Sequence, residues 1–135
     1  MNAESMYQEI ILDYYRNPKL FGHLDDCDIA FRDVNPYCGD VIEFTIKIDN
    51  GMIKDVRFSG KGCAISLASA SMLAEKVLGM PLDGIVGLGK DDVLAMLGIE
   101  ISMMRIKCAL LGLKVIKFGV YDYLGKVMTE EVYGD

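Results

Sequence analysis

The sequence predicts an α+β fold: a three-stranded antiparallel sheet covered on one face by helices, with a long C-terminal helix. Three observations carry this. From Val41 to Ile48 the chain alternates, with Val41, Glu43, Thr45 and Lys47 on one side and Ile42, Phe44, Ile46 and Ile48 on the other, which is the period of a half-buried strand. Asp49-Asn50-Gly51 is a tight hairpin signal that leads into a second strand, Ile53 to Phe58. From Ala64 onward the rest of the chain reads as helical, with Gly84 to Gly89 as a flexible patch within it.

Taken in order, Met6, Tyr7, Ile10, Ile11 and Tyr14 recur near helical spacing from Glu4 to Arg16, and Asn17-Pro18 ends the element. This reads as a lid or docking helix more than a core one. Lys19 to Cys27 reads as loop, and Ile29, Phe31 and Val34 as a short strand with imperfect alternation. The three strands form a meander whose helix-free face is expected to be acidic and wet. Helices follow at Ala64 to Leu78, Leu82 to Val86, Asp91 to Leu97 with Asp91 as its cap, and about Met104 to Tyr123. Without repeats or low-complexity segments, residues 1–135 read as a single domain.

Acidic residues outnumber basic ones, 20 to 14, for a net charge of −6, so neither a nucleic-acid backbone nor an anionic membrane is an attractive surface. A neutral or basic protein partner is expected instead. Lys114 and Lys117 interrupt the apolar C-terminal stretch, and no run reaches the roughly 18 apolar residues of a spanning helix. With no secretion signal after Glu4 and Glu9, a soluble cytoplasmic protein is expected. Gly84 to Lys90 has the glycine and lysine spacing of a phosphate loop, but Asp91 stands where a magnesium-binding Ser or Thr is required. His23 reads as a solvated loop residue. Met72, Met80, Met96, Met103 and Met104 read as adaptable packing, two of them at a contact surface. Tyr121, Tyr123 and Tyr133 lack the basic stripe of a nucleic-acid stacking platform.

Chemistry concentrates where the backbone changes character. Cys38 lies in Asn35-Pro36-Tyr37-Cys38-Gly39-Asp40 before a strand, Cys63 in Gly60-Lys61-Gly62-Cys63 before a helix, and Cys108 near the start of the last helix. Four cysteines in an intracellular chain argue for metal or sulfur chemistry more than for disulfides. Cys38 and Asp40 project together if extended geometry begins at Gly39, which also admits close approach of a ligand. A thiol at a helix start is favoured as thiolate, a benefit expected of Cys63 and, in the first turns of its helix, of Cys108. Three sulfurs and one carboxylate oxygen make an uncommon ligand set. Cys27, among Asp25, Asp26 and Asp28, reads as an incidental loop thiol. The run Ser66-Leu67-Ala68-Ser69-Ala70-Ser71 is small enough for its helix to pack closely on the sheet. No acid/base pair or cofactor pocket appears apart from the thiols, so independent small-molecule turnover is not expected.

Tyr14-Tyr15-Arg16-Asn17-Pro18, the Cys38 segment, Gly62-Cys63-Ala64-Ile65-Ser66 and Arg105-Ile106-Lys107-Cys108-Ala109 resemble, in order, segments of the U-type iron-sulfur cluster assembly scaffolds. The resemblance spans nearly the whole chain. It implies a scaffold on which a [2Fe-2S] cluster is built from iron and sulfur delivered by a cysteine desulfurase, then passed to recipient apo-iron-sulfur proteins. It implies Cys38, Asp40, Cys63 and Cys108 as ligands, Cys108 as first persulfide acceptor and Cys38 as the alternative; Lys107, beside Cys108, is expected to act electrostatically on the anionic site as an auxiliary residue. A homo-oligomer stays open. Lys107 stands where the housekeeping branch has histidine and resembles the branch with zinc-bound sulfur acceptance, whose usual insertion is missing here. The Leu-Pro-Pro-Val-Lys segment of the housekeeping branch is replaced by Ile99-Glu100-Ile101-Ser102-Met103-Met104. Zn2+ is therefore the alternative occupant, in a sulfur-transfer protein that activates a desulfurase or in a zinc-stabilised interaction module.

Overall fold

Asn50 and Gly51 both take positive φ and fold the alternating segment back on itself as a hairpin. The computed structural model describes residues 3–36 and 39–125, so Cys38 and Tyr133 lie outside the described residues. The elements are α1 (Ala3–Arg16), β1 (Ile29–Asn35), β2 (Asp40–Asp49), β3 (Met52–Lys61), α2 (Ala64–Val77), α3 (Leu82–Val86), α4 (Lys90–Leu97) and α5 (Met103–Leu124). The sheet is antiparallel in the order β1-β2-β3.

Directly opposed residues of antiparallel strands share a face, so the register assigns the inner row of β1 as Ile29, Phe31, Asp33 and Asn35, opposite Ile46, Phe44, Ile42 and Asp40. Ile42, Phe44 and Ile46, with Ile53, Val56 and Phe58 of β3, form the fully buried floor of the core. Helix α5 lies along β1. Its Gly119 packs so close to Ile29 that an added Cβ would sit 2.8 Å from the Ile29 Cγ2. Phe118 stacks on Phe31 with ring centroids 6.0 Å apart, and Lys114 pairs with Asp33 at 3.0 Å. Six strand steps cover about 20 Å and eleven helix residues about 16 Å, so the same docking carries Cys108 up to Asn35 at the end of β1.

The small residues of α2 serve α5 as well as the sheet. Ser69 donates to the Ala109 carbonyl at 2.7 Å, and an added Cβ on Gly112 would lie 3.2 Å from the Cα of Ala70. Helix α1 is largely exposed, yet Ile11 is buried in the core cluster.

Two expectations are corrected. The outer sheet face is mixed in charge rather than acidic: Arg32 faces Glu43, Lys47 pairs with Asp26 at 3.4 Å, and His23 pairs with Glu43 at 3.2 Å. The loop after α1 straps this face. Gly22 donates to Phe58 O, Leu24 N–H donates to Thr45 Oγ1, and Asp28 N–H donates to Ile46 O, which is why Thr45 is buried. The cap of α4 is at Gly89, whose N–H is held by the Asp92 carboxylate at 2.8 Å, so Asp92 does the work expected of Asp91. Lys117 interrupts the apolar C-terminal stretch without reaching solvent. It is buried, its ammonium donates to the Leu88 carbonyl, and burial pushes its pKa down. Among the described residues, no helix is long and apolar enough to cross a membrane.

Candidate metal centre

The site forms where the end of the β1–β2 hairpin, the start of α2 and the start of α5 meet. Asp40 opens β2 and is only 1% exposed. One oxygen accepts the Cys63 N–H at 3.0 Å and the other lies 3.6 Å from the Cys63 sulfur. Gly62 makes this closeness available, because a Cβ there would fall 2.3 Å from the Asp40 Oδ1. Cys63 is the N-cap residue of α2 and half-buried. Its sulfur also lies 3.7 Å from the Ser66 hydroxyl, which donates to the Cys63 carbonyl.

Cys108 is 2% exposed. The amide nitrogen of Asn35, itself 7% exposed, points at its sulfur over 3.8 Å. As the sixth residue of α5, Cys108 lies beyond the first turn, where the helix field has largely faded. The expectation of an accessible thiol at a helix start therefore holds for Cys63 and not for Cys108. A Cβ on Gly39 would meet no atom of the described residues within 4 Å beyond its chain neighbours, and its φ of +74° also calls for glycine. Extended geometry begins at Asp40.

Ligand atoms of Asp40, Cys63 and Cys108 all lie within 4.8 Å of one another. A tetrahedral ion with metal–sulfur bonds of about 2.3 Å sets its donors about 3.8 Å apart, so small side-chain rotations close this set around a metal. The donors open onto a cleft of about 740 Å3 lined also by Asn35, Gly62, Met103, Met104, Arg105 and Lys107. Arg105 and Lys107 thus bring two cations to the cleft that the donors line. Met103 and Met104 are 93% and 90% exposed, which removes them from core packing and puts them at the cleft lip, whereas Met72 packs in the core. Cys27 stands apart from this group, as expected.

The family model described as NifU-like N terminal domain matches residues 6–130. The chain belongs to this family. Among NifU-like relatives, the zinc-dependent sulfurtransferase SufU of Bacillus subtilis is 33% identical, over 88% of this chain and 92% of that protein. The iron-sulfur cluster assembly scaffold protein IscU of Aquifex aeolicus is 38% identical, over 89% of this chain and 77% of that protein. A crystal structure described as a SUF-system iron-sulfur cluster assembly scaffold protein from Fervidobacterium islandicum AW-1 superposes with a TM-score of 0.76, covering 88% of this chain and 99% of that one. At 24% identity it attests to the NifU-like fold alone. Sequence reasoning missed Asn35, Ser66 and Ser69 as supports of the site. Asn35 precedes Pro36 and looks like a turn former, so its only signal was its place opposite Asp40 in the hairpin.

Proposed function

We propose that this chain is a scaffold on which a labile [2Fe-2S] cluster is assembled from iron and desulfurase-derived sulfur, then handed to apo-proteins. The observation that carries this reading is the convergence of Asp40, Cys63 and Cys108 within 4.8 Å at the floor of an open cleft. Cys38 is the proposed fourth ligand on sequence grounds. Thiolates suit iron and sulfide cargo, while a carboxylate is a harder and poorer partner for cluster iron, which leaves one corner easy to open.

Sulfur enters as persulfide. The Cys108 thiolate attacks the terminal sulfur carried by the desulfurase, a new S–S bond forms on Cys108, and the desulfurase cysteine leaves as thiolate. An external reductant supplies the two electrons that turn this sulfur into sulfide. Cys38 is the alternative acceptor. Because Cys108 is covered, the donor has to reach it through the lip formed by Met103 and Met104. Lys107 assists from the cleft wall by offsetting the negative charge of the cargo. Partners are therefore a cysteine desulfurase and recipient apo-iron-sulfur proteins, with assembly between copies left open. A reducing cytoplasm keeps these thiols available. The protein works by stoichiometric handoff rather than small-molecule turnover.

The second reading is zinc-dependent sulfur transfer. It is favoured by the relative named a zinc-dependent sulfurtransferase and by Lys107 at the cleft. The same donors would hold Zn2+, and the persulfide would pass to another carrier.

Anaerobic incubation with desulfurase, iron, cysteine and reductant, followed by an apo-ferredoxin, tests both. A [2Fe-2S] spectrum on this chain that moves to the ferredoxin supports the scaffold. Persulfide on Cys108 with retained zinc and no cluster selects sulfur transfer. Persistent zinc with neither persulfide nor handoff would leave only a metal-stabilised interaction module.

A further inference from the structure

We propose that Asn35 is a positioning residue for Cys108, holding its sulfur by an N–H···S hydrogen bond so that Cys108 stays fixed while the Asp40–Cys63 side of the cleft opens. The inference rests on the metal-site reading above.

Asn35 and Asp40 are cross-strand partners at the end of β1 and β2, so both side chains emerge on the inner face beneath the cleft. They are the two polar residues that the sheet places there, and both are buried. Their chemistry is opposite. An ionised carboxylate only accepts, and Asp40 receives the Cys63 N–H and faces the Cys63 sulfur. The amide nitrogen of Asn35 only donates, and it faces the Cys108 sulfur. Such a donor binds most strongly to sulfur that carries negative charge, as a thiolate, a persulfide or a metal ligand does.

The surrounding contacts keep Cys108 where Asn35 can reach it. Phe118 on Phe31 and Lys114 on Asp33 set the register of α5 against β1. Ser69 pins the carbonyl of Ala109, the next residue. Among the described residues the Cys63 sulfur lies against the Asp40 carboxylate and the Ser66 hydroxyl, and that hydroxyl donates to the Cys63 carbonyl. One thiol is thus anchored through backbone and sulfur together, and the other is held through a carboxylate that is itself a ligand.

The test uses Cd2+ and Co2+ as probes on the full chain, since both report on thiolate donors whether the natural cargo is a cluster or zinc. In the 113Cd-loaded protein, one Asn35 side-chain amide proton should show scalar coupling to the metal through the hydrogen-bonded Cys108 sulfur. In the Co2+-loaded protein, Asn35→Leu should bind one equivalent as before but move the sulfur-to-metal charge-transfer band to longer wavelength. Asn35→Asp, close in shape and lacking the amide donor, should move it in the same direction. Bound metal without the coupling in the unaltered chain, or folded variants with an unmoved band, would overturn the proposal. Absence of stoichiometric metal binding by the unaltered chain would instead overturn the site reading on which it rests. The coupling needs no substitution, so a variant that fails to fold does not remove the test.

Discussion

Two corners of one cleft hold their thiols differently. At one corner Cys63 is half-buried at the head of α2 and leans on the carboxylate of Asp40. At the other, Cys108 is buried within α5 and faces the amide of Asn35. In the proposed scaffold the difference separates two tasks that a cargo carrier must combine. A corner that shares its carboxylate between a backbone N–H and a metal can rearrange when a recipient arrives. A corner locked by helix packing keeps the cargo oriented while that happens.

The largest effects come from removing either sulfur. Cys63→Ala and Cys108→Ala should each abolish stable cluster and zinc binding, measured by absorption spectra and metal analysis. Only Cys108→Ala should also lower stability, by about 1 kcal/mol, because only it empties packed volume. Equal destabilisation by both would break the comparison.

Asp40→Ala should slow cluster delivery to an apo-ferredoxin several-fold while the cluster persists longer on the chain. It should also lower folding stability by about 1 kcal/mol, because the part-buried Cys63 N–H loses its acceptor. Faster transfer in stopped-flow assays would reject Asp40 as the opening corner. Lys107→Ala, an exposed change, should leave stability within about 0.5 kcal/mol yet slow assembly at low ionic strength. High salt should erase that difference.

The smallest effect lies far from the cleft. Burial and the neighbouring Glu75 carboxylate raise the Tyr14 pKa above its usual 10.0. A raised folded-state value means that the stabilisation from protonated Tyr14 is complete below pH 10.0 and is lost as pH rises through the folded value. Tyr14→Phe should lower stability by about 1 kcal/mol near neutrality, and denaturant titrations should show this deficit shrinking above pH 10.0.

Local pattern made most of the fold legible. Alternation from Val41 to Ile48 and the Asn50-Gly51 turn fix the hairpin, and helix ends fall within a residue or so of expectation because Pro18, Gly98 and Gly125 stop helices by local rules. Of the candidate ligands, the structure brings Asp40, Cys63 and Cys108 together, while Cys38 lies outside the described residues. What stayed hidden depends on contacts distant in sequence. The burial of Cys108 and Lys117 follows from how α5 docks on β1, α2 and the loop at Leu88, which spacing along α5 does not encode. Asn35 was hidden for the same reason, since strand register rather than residue type makes it the counterpart of Asp40.

The delivery of Cys108 by the last helix also bears on synthesis. During translation, Asp40 and Cys63 leave the ribosome well before Cys108. Until α5 emerges and docks, the nascent chain displays an incomplete donor shell that lacks the Cys108 sulfur. Incomplete shells hold metal weakly. Placing the anchoring sulfur in α5 therefore ties capture of cargo to the docking of that helix, and a product truncated before α5 would be a poor trap for cellular iron or zinc.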